Sequence, residues 1–243
     1  MRKAIAVAIV LTLVLGLSGA AQAGLITDDF NDQSFDTAKW VKSGGSGTPV
    51  ETAGGELQFS GTPYRLVVST VATFDPTVNP LTITGRVRIA AADGHFYLFT
   101  RSAGDVDTWG NGQVHNGLYV SFVNQGGGSI GLGKYQNKAN TGLGSATMLN
   151  VNGEVFDFTV VDTGTTLSAT FTEVGGDGTT ATVSNNSFTF SPSVASNLVS
   201  FTHREGRNDY IDFVTISDAP PIPEPAGLGL IGMALLALRR RRS

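Results

Sequence analysis

The side chains best suited to chemistry gather in one stretch, RSAGDVDTWGNGQVHNG at residues 101–117. Within it stand Asp105, Asp107, Trp109, Asn111 and His115. A tryptophan set among glycine, asparagine and aspartate has nothing nearby in sequence to bury it. Its ring face suits stacking on the apolar face of a sugar, while carboxylate, amide and imidazole groups bond the hydroxyls. Tyr135, in GLGKYQNKAN, supplies a second platform for such a patch. The alternative is that the segment folds back and Trp109 caps a core. The same stretch begins like an EF-hand loop, with acids at 105 and 107. Trp109 then takes the fifth position and Asn116 the twelfth, where that loop needs an oxygen ligand and a glutamate, so the likeness fails.

Other chemistries find little support. The chain has no cysteine, which removes disulfides, thiolate metal sites and a cysteine nucleophile. His95, His115 and His203 lie in separate segments without zinc-ligand spacing and read as strand-end or loop residues. The run Gly126, Gly127, Gly128 is a turn, since no helix follows to receive a phosphate. Residues 24–218 hold ten basic and nineteen acidic side chains, a net charge of −9. An acidic domain without a basic stripe is a poor candidate for nucleic acid, and no such partner is expected.

The elements that position these residues are strands. In LTITGRVRIA, Ile83, Gly85, Val87 and Ile89 alternate with Thr82, Thr84, Arg86 and Arg88, a period of two with one face polar. VFDFTVV and TLSATFTEV are joined through DTGTT as a hairpin. GLYVSFVN, SFTFS, LVSFTHR and YIDFVTIS continue the series, and only residues 36–39 suggest a turn of helix. Strands at this density with glycine-rich turns predict an all-β, antiparallel sandwich. No linker or repeat splits it, so residues 24–218 form one domain.

Two segments carry a resemblance. ITDDFNDQSFDTAKW and YIDFVTISD, with GGELQFSG between them, resemble the first, last and an early strand of concanavalin A-like lectin/glucanase jelly rolls. The resemblance implies a jelly-roll β-sandwich. It also implies a structural calcium ion tying the first strand to the last through Asp29 and Asp212, two residues that otherwise read as solvated strand-end acids. Retaining glucanases of that superfamily carry E-x-D-x-x-E on a central strand, which sets nucleophile and acid on one face. No such string occurs here. Glu154-Val155-Phe156-Asp157 has the wrong spacing, and the acids of Glu205-Gly206-Arg207-Asn208-Asp209 sit in a turn. The expectation is therefore a protein that is not an enzyme.

The two ends are addresses. Residues 1–23 have a basic start, an apolar run over 4–17, and Ala21 and Ala23 before Gly24, which together predict a secretory signal peptide cleaved before Gly24. After a linker over 219–225, residues 226–238 are apolar and short for a membrane span, and 239–243 form a basic tail. Positive charge at both ends keeps both on the cytoplasmic side, with the domain exported between them. Pro223, Glu224 and Pro225, the apolar run, and Arg239, Arg240, Arg241 and Arg242 resemble the PEP-CTERM sorting signal of Gram-negative bacteria. That resemblance implies processing by an exosortase after signal peptidase, transient anchoring in the inner membrane by a short hydrophobic helix, and delivery to the cell surface or a polysaccharide matrix. The functional expectation is a sorted, non-catalytic protein that binds extracellular polysaccharide. The alternatives are a purely structural matrix or adhesion protein, and a lyase or hydrolase with an atypical site.

Overall fold

In the computed structural model the described residues are 25–44, 47–59, 66–89, 95–104, 106–109, 111–114, 116–123, 128–137, 139–148, 155–176, 178–192, 196–203 and 209–218, with 106–109 and 111–114 described by backbone alone. The signal peptide, the Pro-Glu-Pro linker, the apolar run and the basic tail lie outside them. Among the described residues no helix is long and apolar enough to cross a membrane.

The strands, in chain order, are β1 (Leu25–Asp28), β2 (Trp40–Gly44), β3 (Val50–Glu51), β4 (Leu57–Phe59), β5 (Val67–Thr70), β6 (Leu81–Ile89), β7 (His95–Ser102), β8 (Val106–Trp109), β9 (Asn111–Val114), β10 (Gly117–Val123), β11 (Ser129–Gln136), β12 (Ala139–Thr147), β13 (Val155–Asp162), β14 (Leu167–Glu173), β15 (Thr180–Asn185), β16 (Leu198–His203) and β17 (Asp209–Ser217). Two antiparallel sheets face each other. One runs β15-β14-β13-β6-β17-β4-β3 with β1 also on β17, and the other runs β12-β11-β10-β7-β16-β5-β2. Neighbours far apart in sequence, such as β17 on β6 and β16 on β7, are the long connections of a jelly roll. The expected turn of helix is a single one, with Lys39 and Trp40 N–H groups donating to the Asp36 carbonyl.

Period-two patterning fills the space between the sheets. Leu81, Ile83, Val87 and Ile89 of β6 point inward with Phe156, Phe158 and Val160 of β13, against Phe96 and Leu98 of β7 and Phe122 of β10. Gly85 keeps that inward row open, because a Cβ there would lie 2.6 Å from Phe158 Cζ and 2.5 Å from the Phe213 carbonyl. The opposite, solvent face of the same sheet carries a register row of threonines, Thr27, Thr215, Thr84, Thr159, Thr170 and Thr182, across six strands. A buried ion pair joins the layers: Arg101 reaches Asp162 at the end of β13, and Thr100 Oγ1 donates to the same carboxylate at 2.7 Å.

Candidate functional site

Antiparallel alternation sends every second residue of β7 away from the core. Phe96 and Leu98 face inward, so His95, Tyr97 and Phe99 face outward. On β10 the outward positions are Gly117, Tyr119 and Ser121, and on β11 they are Gly131, Gly133 and Tyr135. Register sets Tyr119 opposite both Phe99 and Gly133. Tyr97, Phe99, Tyr119 and Tyr135 thereby form a second aromatic cluster on the far side of the sheet from the main core. Ring centroids lie 5.2 Å apart for Tyr119 and Tyr135, 6.0 Å for Phe99 and Tyr119, and 6.1 Å for Tyr97 and Tyr119. The glycines make the bed: a Cβ at Gly133 would sit 2.2 Å from Tyr119 Cζ, and one at Gly117 would sit 3.1 Å from Phe99 Cδ1.

Polar groups border the rings. Tyr119 Oη donates to Asn140 Oδ1 at 3.1 Å, and Asn140 Nδ2 donates to Tyr135 Oη at 3.2 Å. Burial pushes the Tyr119 phenol above its ordinary range, and the Asn140 bond pulls the other way. Beyond Phe99, Ser43, Ser69 and Ser200 make a chain of hydroxyls with Oγ separations of 2.6 and 2.7 Å, in which Ser69 and Ser200 are fully buried and bonded within the chain. Rings offering flat apolar area next to amides and hydroxyls have the make-up of a sugar-binding surface.

The sequence patch at 101–117 connects β7 to β10. Residues expected to form a loop instead form a ribbon, β8 with β9, inserted between the paired strands β7 and β10. Its register pairs Trp109 with Asn111 and Asp107 with Gln113, which puts Asp107, Trp109 and Asn111 at positions on one face of the ribbon. Asp105 and His115 lie outside the described residues. The ribbon's base is tied down: Ala103 N–H donates to the Asn116 carbonyl, and Asn137 N–H to Asn116 Oδ1 at 2.8 Å. Gly104, just before the ribbon, is closely packed: a Cβ there would lie 2.9 Å from Leu198 Cδ1.

Tyr135 is a correction. Its exposure is 5%, with the ring held among Phe99 and Tyr119, so it supports the aromatic surface from beneath and offers no open stacking face. The more open rings are Tyr97 and Tyr119, which the sequence reading passed over. The signal was present in HFYLFTRS, where aromatics occupy both alternating sets of positions, and in SIGLGKY, where glycine recurs every second residue opposite them.

The candidate metal residues occupy adjoining segments. Asp29 directly follows β1, whose Asp28 is in register with Val214, and Asp212 is the extra residue at the β17 bulge between Ile211 and Phe213. Asp29 Oδ2 accepts from Asn31 Nδ2 at 2.6 Å, and Asp212 faces Arg86 at 3.7 Å. Among the described residues no three acidic or histidine side chains come together to hold a metal. His95 and His203 lie near one end of neighbouring strands, but His203 turns to Phe59 in the core while His95 faces Tyr97.

A third feature is acidic. Glu51 is 8% exposed; its Oε2 accepts from Ser34 N–H at 3.1 Å, and its Oε1 is buried without a partner. Burial, with Asp32 and Asp28 nearby, pushes the Glu51 carboxyl up from 4.5 to about 7. At edge strand β2, an open groove of about 480 Å³ lies between Phe35, Trp40, Val41, Pro49 and Val71. Its walls are largely apolar and lack the convergent polar groups of a sugar site.

No family model matches the chain, and no curated protein matches its sequence. Solved structures do match. Peanut lectin in complex with a nine-residue peptide aligns with a TM-score of 0.56 at 15% identity, over 81% of this chain and 97% of that one. The β-glucanase of Bacillus licheniformis aligns at 0.53 and 12%, over 81% and 99%. The carbohydrate-binding module CBM66 of Bacillus subtilis aligns at 0.50 and 12%, over 72% and 93%. Lectins and glucanases thus share one architecture with this chain, an antiparallel jelly-roll β-sandwich.

Proposed function

We propose that the protein is an exported, non-catalytic glycan-binding module that works at the cell surface or in a polysaccharide matrix. The observation that carries this reading is the aromatic cluster on the sheet face away from the core, in which Phe99 and Tyr135 are buried and support the half-buried rings of Tyr97 and Tyr119. Open rings such as Tyr97 and Tyr119 stack on sugar faces, and the Asn140 amide stands at their border. The shared fold with lectins and a carbohydrate-binding module supports the reading, and the missing E-x-D-x-x-E string argues against glucan hydrolysis. Export follows from the signal peptide, and sorting from Pro223, Glu224, Pro225 and the terminal arginines read by an exosortase.

The test is titration of the purified protein with neutral and acidic polysaccharides, with calcium and with chelator. Saturable binding to at least one polymer is the expected result. Absence of binding to every polymer, including the host's own matrix, would replace the reading with a structural matrix protein. New reducing or unsaturated ends would replace it with an enzyme. Intact mass of the surface-located protein checks sorting, and the expected species lacks Arg239, Arg240, Arg241 and Arg242.

A further inference from the structure

The charge pattern of the aromatic face narrows its ligand, and this inference rests on the glycan-binding reading above. Across β7, β10, β11 and β12 no outward position is Asp, Glu, Lys or Arg, although residues 24–218 hold nineteen acidic and ten basic side chains. The basic side chains that these four strands do carry are committed elsewhere. Arg101 pairs with the buried Asp162 of the opposite sheet, and Lys134 Nζ donates to the Thr189 carbonyl at 2.6 Å. His95 is buried beside Tyr97. The part of the face open to solvent runs from the half-buried Tyr97 and Tyr119 over Gly131 to Asn140, Gly142 and Ser145 on the edge strand β12. It offers rings, an amide and a hydroxyl, and no charge.

We propose that this face takes a neutral polysaccharide and discriminates against polyuronates and sulfated polymers. A neutral sugar needs only what is present: ring faces for its C–H surface, and amide and hydroxyl groups for its hydroxyls. A carboxylate or sulfate laid on the same surface sheds water and finds no guanidinium or ammonium among the described residues to replace it. The excess of acid elsewhere on the domain, Asp107 in the ribbon joining β7 to β10 included, adds repulsion that reaches over about 10 Å at ordinary salt. Selectivity here comes from the polar groups that the face withholds as much as from those it presents.

The experiment is titration of the purified full chain, at low and at high salt, with polymers matched in backbone and differing in charge: hydroxyethylcellulose against carboxymethylcellulose, and dextran against dextran sulfate. At least one neutral polymer is expected to bind with an affinity indifferent to salt, and its anionic counterpart to bind about tenfold more weakly at low salt. Preference for the anionic polymer, falling as salt rises, would overturn the neutral assignment and leave glycan binding standing. No binding to either class would defeat the glycan reading itself, and this inference with it. Gly142→Arg adds a cation to the open surface at a position where a Cβ meets nothing within 4 Å, so the fold accommodates it. That variant should raise the affinity for the anionic polymers about tenfold, in a salt-sensitive way. An unchanged anionic affinity would take the polymer off this surface and overturn the assignment.

Discussion

Tyr119 lies across Gly133, its register partner on β11, so closely that a Cβ at position 133 would fall 2.2 Å from the phenol carbon Cζ. One residue without a side chain thus decides where the ring rests, and with it the shape of the aromatic surface. Gly133→Ala must lift the ring or push the strands apart. A strain of about 1–3 kcal/mol is expected, as for other overpacked sites. Urea unfolding checks the cost, and polysaccharide affinity should fall in the same variant. An alanine variant with unchanged stability and affinity would show that Tyr119 has room to move.

Trp109→Ala addresses the ribbon. Since Trp109 sits at the ribbon tip beside Asn111, the sheets do not depend on it for their register. Polysaccharide affinity is expected to drop about tenfold, the worth of one stacked ring, with little change in the unfolding midpoint. A large fall in midpoint with intact affinity would instead make Trp109 a cap on the core.

Asp162→Ala removes the partner of a buried guanidinium. Asp162 is fully buried and Arg101 is 5% exposed, so the charge left behind has no water to turn to. The rings of Phe188 and Phe190, 5.6 and 5.9 Å from the Arg101 guanidinium, give only partial compensation. A loss of about 3–5 kcal/mol is expected by chemical denaturation. Removing both groups, as Arg101→Met with Asp162→Leu, should recover much of it.

Glu51 makes stability depend on pH in an unusual direction. Its carboxyl titrates near 7 in the folded protein and near 4.5 when unexposed to its neighbours, so the folded state holds the proton more tightly. The stabilisation is complete below 4.5 and is lost as pH rises through 7. The size is about 3 kcal/mol. Burial is its main cause, Asp32 and Asp28 add to it, and the Ser34 N–H opposes it. In chelator, denaturation midpoints should therefore fall between pH 5 and pH 8, and Glu51→Gln should flatten that slope.

How much of this was legible in the chain depends on the range of the interactions involved. Alternation in LTITGRVRIA and VFDFTVV determined which residues face the core, because a strand's side-chain period is a local property of the backbone. The hairpin across DTGTT and the opening and closing strands were readable for the same reason. What sequence could not determine was which strands become neighbours. Tyr97, Phe99 and Tyr119 look like ordinary core aromatics until β10 is placed beside β7, and Gly133 has no visible task until β11 lies against β10. The Glu51 and Asp32 convergence arises because the β3–β4 hairpin folds under residues seventeen positions earlier in the chain. Asp212, a ligand only by the family resemblance, meets Arg86 at a bulge that only the paired strands reveal. Period and turn chemistry are written residue by residue, whereas a site is assembled from long-range pairing, whose register belongs to the folded sheet.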